Sequence, residues 1–136
     1  MKKFIIYTDG GARGNPGPAG IGAVVYNESK EIVAEISQFL GVATNNQAEY
    51  KALIAGLKKV KELGGEELDV YMDSELVVKQ LKREYKVKDK DLAVLFLEVY
   101  NLSLSLKKVN YTHVRREFNK EADKLANMAM DKGGDF

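Results

Sequence analysis

Phe4, Ile5, Ile6, Tyr7 and Thr8 follow one another without a polar break, and a run this rich in aromatic and β-branched residues predicts a strand buried on both faces. Residues 10–18, which follow Asp9, include Gly10, Gly11, Gly14, Pro16, Gly17 and Pro18 and predict a loop. Residues 21–26 and 32–40 predict two further strands, separated by the turn Asn27-Glu28-Ser29-Lys30, and the three strands should pair as an antiparallel meander. The period then changes. Thr44-Asn45-Asn46-Gln47 has the form of a capping box, with Thr44 as N-cap. Beyond it, Ala48, Ala52, Ala55 and Gly56 form a small-residue stripe beside Leu53, Leu57 and Val60, a surface that allows a helix to approach a sheet closely. Gly64-Gly65 stops that helix. Residues 68–73 alternate, with Leu68, Val70 and Met72 on one face and Asp69, Tyr71 and Asp73 on the other. Ser74 caps a short helix running to about residue 82, residues 91–104 predict another, 107–113 a fifth strand and 119–130 a last helix. The order βββαβααβα is that of an α/β domain on a mixed five-stranded sheet, in which right-handed crossovers set the fourth and fifth strands parallel to the first. Residues 1–132 form one domain in this reading, and 133–136 a disordered tail.

Composition narrows the setting. A chain of 136 residues, 45% hydrophobic and 30% charged, suits one domain with a real core. It has no cysteine, which excludes disulfides and thiolate metal sites and fits a reducing compartment. The N-terminal apolar run is too short for a signal-peptide core, and no stretch approaches the ~20 apolar residues that span a bilayer. The expectation is a cytoplasmic monomer with no membrane partner. The net charge of +1 argues against a strongly basic polyanion binder at first sight. Yet if four acids serve as metal ligands, 16 acids remain against 21 Lys and Arg, an excess of +5. The bases also cluster, at Lys79, Lys82, Arg83, Lys86, Lys88 and Lys90 and again at Lys107, Lys108, Arg115 and Arg116.

The four acids are Asp9, Glu49, Asp73 and Asp123. Asp9 and Asp73 end two strands that should be parallel neighbours ~4.8 Å apart, so both carboxylates emerge at the carboxyl edge where open α/β sheets bind ligands. Glu49 is too deep in its helix for simple capping, and Asp123 holds a similar place in the last helix, after Ala122 and before Leu125-Ala126. Two carboxylates ~5 Å apart repel by about 3 kcal/mol at an effective dielectric of ~20. Four together must protonate or bind cations, and an all-oxygen set suits Mg²⁺ or Mn²⁺. Two such ions can clamp the attacking and leaving oxygens of a phosphoryl displacement.

Four stretches carry a resemblance. Residues 7–20, Tyr-Thr-Asp-Gly-Gly-Ala-Arg-Gly-Asn-Pro-Gly-Pro-Ala-Gly, resemble the first signature of ribonuclease H type 1, and Thr44-Asn45-Asn46-Gln47-Ala48-Glu49-Tyr50 the second. Asp73-Ser74 followed by Leu76-Val77-Val78 resembles the third, and Asn119-Lys120-Glu121-Ala122-Asp123-Lys124-Leu125-Ala126 the fourth. The likeness runs from about Lys3 to Ala129. It implies the ribonuclease H-like fold, with sheet order 3-2-1-4-5 and helices on both faces, and an endoribonuclease that hydrolyses the RNA strand of RNA·DNA hybrids with two Mg²⁺ ions, leaving 5′-phosphate and 3′-hydroxyl ends. By the same likeness Asp9 should bridge both ions, with Glu49 and Asp73 on one and Asp123 on the other. Gly10, Gly11, Asn15, Thr44, Asn45 and Asn46 become candidates for contacting the hybrid. The chemistry agrees, because glycine admits close backbone approach and asparagine offers donor and acceptor to a 2′-hydroxyl.

Two features depart from the family pattern. Many bacterial members carry a basic helical protrusion where this chain has only the link of residues 82–90, so this is a compact form, and its lysines should compensate in part for the missing contacts. His113 matches the spacing of the family's mobile histidine, ten residues before Asp123, but falls in the fifth strand; Arg116 is the rival for neutralising phosphate charge. Three other readings stay open: a nucleotide-binding glycine loop, disfavoured because Pro16 and Pro18 lead into a strand rather than a helix; a DNA nuclease of the same superfamily; and a non-catalytic hybrid-binding module.

Overall fold

The computed structural model describes residues 2–133. The first strand, β1 (Lys3–Ala12), runs antiparallel to β2 (Gly17–Asn27), which in turn pairs antiparallel with β3 (Ile32–Ala43). Helix α1 (Asn45–Glu62) crosses to β4 (Glu67–Met72), and the short α2 (Glu75–Leu81) and longer α3 (Lys90–Ser103) lead to β5 (Lys108–His113). A 3-10 turn at Arg116–Phe118 precedes α4 (Lys120–Gly133). The sheet order is β3-β2-β1-β4-β5, with β4 parallel to β1 and β5 parallel to β4, as the crossover rule requires. α4 extends one residue into the segment read as a tail: Gly133 is buried against Phe39, where a side chain would collide with the ring. The rest of that segment lies outside the described residues.

Helices cover both faces. On one, α1 lays Tyr50, Leu53, Leu57 and Val60 over Ile6, Val25, Leu68, Val70 and Met72, with Val77 and Val99 closing the core from α2 and α3. The alternation read for β4 holds: Leu68, Val70 and Met72 are buried while Asp69 and Tyr71 are half-buried on the other face. On the second face α4 lies across β1, β2 and β3 through its alanines Ala122, Ala126 and Ala129. Sheet-facing glycines set both distances. A Cβ on Gly10 would overlap the backbone of Ala48 and Glu49 in α1, and one on Gly22 would fall on the Ala122 carbonyl of α4.

The loop expected over residues 10–18 is shorter than its composition suggests. β1 leaves β4 at Thr8–Met72 but stays paired with β2 as far as Ala12–Ala19. Asp9 therefore lies inside a strand rather than at its end. Its glycine neighbours Gly10 and Gly11 pair with Ile21 and Gly20, because glycine is compatible with a strand wherever another backbone must come close. Only residues 13–16 turn. α3 starts at Lys90 on an Asp89 cap that accepts from the amides of Asp91 and Leu92, and the link before it, residues 82–89, contains no helix.

Candidate active site

Each carboxylate is delivered by a different local device. Thr44 closes the capping box at the start of α1, its hydroxyl accepting from the Gln47 amide (3.1 Å) while the Gln47 side chain accepts from the Thr44 amide (3.0 Å). This fixes the first turns of α1, and Glu49 emerges where Gly10 lets the helix touch β1. The Gly10 amide donates to Glu49 Oε1 at 3.3 Å. Asp9 faces the opposite side of β1, in register with Gly22, so the glycine that admits α4 sits beside the aspartate that α4 approaches. Asp73 follows the last residue of β4, just ahead of the Ser74 cap of α2.

Three of the four acids converge tightly. Asp9, Glu49 and Asp73 each offer a carboxylate oxygen within 4.8 Å of the others. Asp123 stands outside that trio, on the first turn of α4, yet lines the same cleft of about 460 Å³. The electrostatics record the crowding. Burial first, then the charge of Asp73, pushes the Asp9 carboxyl up to about 7, with Asp123 adding to the rise. Burial, followed by Asp9 and Asp73, raises Glu49 well above the ordinary carboxylate range. Asp73 is raised mainly by burial, against the opposing influence of Asn119 and Arg116.

The donor set fits a hard divalent cation. Glu49 is 7% exposed, and among the described residues its Oε2 has no hydrogen-bond partner. A buried carboxylate oxygen without a donor is costly unless a proton or cation meets it. All donors here are oxygens, the preference of Mg²⁺ and Mn²⁺.

The remaining candidates divide. Gly10, Gly11, Asn45 and Asn46 line the cleft, as does Arg116, whose Nη2 lies 3.5 Å from Asp123 Oδ1. Gly10 is buried and its amide is taken by Glu49, so it shapes the site from behind; a Cβ on Gly11 would make only ordinary contact with the Met130 and Asn45 side chains. Asn15 and Thr44 do not line the cleft: Asn15 Oδ1 accepts from the Asn45 amide (3.0 Å), and Asn45 Oδ1 accepts from the Ala12 amide (2.8 Å). His113 is exposed at the end of β5, opposite Met72 in the ladder, and is not among the cleft residues either. Sequence reasoning missed Arg13, Asn127 and Met130 on the cleft wall, and the buried Asn119 behind Asp73. Asn119 opens the fourth signature, which was the one available signal.

A mixed sheet of this order, with acids from two strands and two helices gathered at one edge, defines the ribonuclease H-like class of metal-dependent nucleases. The family model described as "Reverse transcriptase-like" matches residues 7–129. The chain is 43% identical over 125 residues to a ribonuclease HI of Halobacterium salinarum, covering 92% of this chain and 63% of that protein. It is 35% identical over 148 residues to a ribonuclease H of Acetivibrio thermocellus, covering 97% of each. With a bifunctional protein of Mycobacterium tuberculosis the identity is 49% over 130 residues, and the chain spans only 36% of that protein's length. The solved N-terminal RNase H domain of the mycobacterial protein superposes with a TM-score of 0.93 over 95% of this chain and 99% of that one. LC11-RNase H1, solved with an RNA/DNA hybrid, is 44% identical, with a TM-score of 0.91 over 96% of this chain and 98% of its own. This chain belongs to the ribonuclease H type 1 family.

Proposed function

We propose that the protein is an endoribonuclease that hydrolyses the RNA strand of RNA·DNA hybrids, leaving 5′-phosphate and 3′-hydroxyl ends, and that it works as a cytoplasmic monomer with two Mg²⁺ ions, for which Mn²⁺ can substitute. The observation that carries the reading is the convergence of Asp9, Glu49 and Asp73, with an unpartnered Glu49 oxygen, at the edge of this sheet. The relatives named ribonuclease H, and the hybrid bound to LC11-RNase H1, support the substrate class.

Asp9, Glu49 and Asp73 would hold the cations, with Asp123 completing the set from the α4 wall. When bound, the ions supply positive charge to the phosphodiester and lower the pKa of water. The chain's own groups do the rest. The Gly10 amide fixes the direction of Glu49, and the Arg116 guanidinium offers charge to a phosphate oxygen at the mouth of the cleft. Gly11, Asn45 and Asn46 form the wall that would meet the minor groove, where the 2′-hydroxyl distinguishes RNA from DNA. Asn15 and Thr44 act on the hybrid through Asn45, by holding its amide and its turn of helix.

The test uses labelled RNA·DNA hybrid, duplex RNA and duplex DNA. Wild type should cleave only the RNA strand of the hybrid. Asp9→Asn should lose at least ~10³-fold in kcat while folding normally, and a chelator should abolish cleavage. Cleavage of duplex DNA, or turnover that survives Asp9→Asn or the chelator, would overturn the proposal.

A further inference from the structure

Asn119 is a buried polar residue, 1% exposed, that sits where the three elements bearing Asp9, Asp73 and Asp123 meet. The parallel ladder between β1 and β4 stops at Thr8–Met72, one residue before each aspartate. From there the strands part, and the Thr8 carbonyl accepts a hydrogen bond from Asn119 Nδ2 at 2.9 Å instead of from a further rung of sheet. Asn119 also opens α4: the Asp123 amide donates to its carbonyl at 3.1 Å. Its own amide donates to the Arg116 carbonyl at 2.9 Å, tying in the turn that carries the guanidinium.

We propose that Asn119 is a positioning residue for the carboxylate site: its side-chain amide ties the start of α4 to the Thr8 carbonyl, next to Asp9, at the point where β1 leaves β4, while its backbone anchors Asp123. The inference rests on the functional reading above. One side-chain hydrogen bond to the Thr8 carbonyl holds β1 at the residue before Asp9, and the backbone bond from Asp123 sets the first turn of α4. Asn119 touches no reacting atom in this arrangement; it acts through the acids it holds apart at cation-binding distance. Mispositioning of a ligand by about 1 Å is enough to lower turnover substantially, so an amide this well buried is a sensitive part of the site.

The experiment compares wild type with Asn119→Ser and Asn119→Ala, and with Tyr50→Phe as a control. Tyr50 donates to Gln80 Oε1 at 2.7 Å between α1 and α2, a buried side-chain hydrogen bond that belongs to the core rather than to the carboxylates. Steady-state hydrolysis of hybrid, corrected for folded fraction, is measured beside calorimetric titration with Mn²⁺ and thermal melting. The Asn119 variants should lose ~10-fold or more in kcat with KM for hybrid changed less than about twofold, and should bind Mn²⁺ several-fold more weakly. Tyr50→Phe should lower Tm while keeping kcat and Mn²⁺ affinity. Asn119 variants that melt lower but retain both would overturn the inference, leaving Asn119 a stability residue only. In the wild type, the Asn119 side-chain amide resonances should shift with Mg²⁺ at the concentration that fills the site; an unmoved pair is equally fatal, and this arm does not depend on any variant folding. Failure of wild type itself to cleave hybrid, with Mn²⁺ binding and its loss in the variants intact, would sink the proposed reaction without touching the role of Asn119.

Discussion

At Asp9, charge and fold oppose each other directly. Its carboxyl, raised to about 7 chiefly by burial, prefers the proton in the folded protein. A group with a raised folded pKa stabilises the fold fully below its unfolded value, near 4, and loses that contribution as pH rises through the folded value. In chelator, wild type should therefore lose stability between about pH 4 and pH 8. Asn at this position removes the charge, so Asp9→Asn should melt several degrees above wild type at pH 8 and converge with it near pH 4, as followed by circular dichroism. Added Mg²⁺ should close the gap at pH 8 from the wild-type side. A melting difference that does not vary with pH would contradict this electrostatic account. The same scale separates the two basic candidates. Arg116 reaches the cleft and Asp123, whereas His113 ends β5 outside the cleft lining. Arg116→Ala is expected to lower kcat/KM for hybrid by ~10- to 100-fold, and His113→Ala by no more than ~3-fold; the reverse order would show that the strand-end imidazole does the work.

Among the elements, α4 is the one whose placement depends most on a missing side chain. Its alanines press against β2 at Gly22, directly beside Asp9 in the ladder. A methyl group at Gly22 would displace the Ala122 carbonyl, and overpacking of this kind costs about 1–3 kcal/mol or more. Gly22→Ala should thus lower stability and also drop hybrid cleavage, because Asp123 rides on the same turn of α4. Urea denaturation with parallel turnover measurements checks both; full activity in a destabilised Gly22→Ala would mean that the exact seat of α4 is unimportant. The capping box that starts α1 was legible from Thr44-Asn45-Asn46-Gln47 because capping is local, with four consecutive residues supplying both hydrogen bonds. The span of β1 was not. Gly10, Gly11 and the prolines suggested a loop, and only pairing with β2 keeps residues 9–12 extended.

At the scale of the whole molecule, the basic link between α2 and α3 is the surface most clearly set apart from the cleft. Lys82, Lys86 and Lys88 are exposed, Lys79 lies 5.0 Å over the Tyr85 ring and Arg83 5.6 Å over Tyr100. If these lysines meet hybrid phosphates, changing all three to Gln should make the slope of log affinity against log salt shallower by about one for each phosphate they neutralise, measured with catalytically inactive Asp9→Asn protein. An unchanged slope would place the hybrid elsewhere. By itself the sequence determined the order of strands and helices and the Thr44 and Ser74 caps, since periodicity and capping act over a few neighbouring residues, and its four signatures singled out the acids proposed to carry the chemistry. It also pointed to one edge for Asp9 and Asp73. Only the tertiary structure decided that Asp9, Glu49 and Asp73 meet tightly with Asp123 of α4 lining the same cleft, that the Gly10 amide serves Glu49, and that Asn119 holds the Thr8 carbonyl where β1 leaves β4. Those relations join residues from 24 to over 100 positions apart, and they are set by how closely whole helices seat on the sheet, a distance that no local pattern encodes.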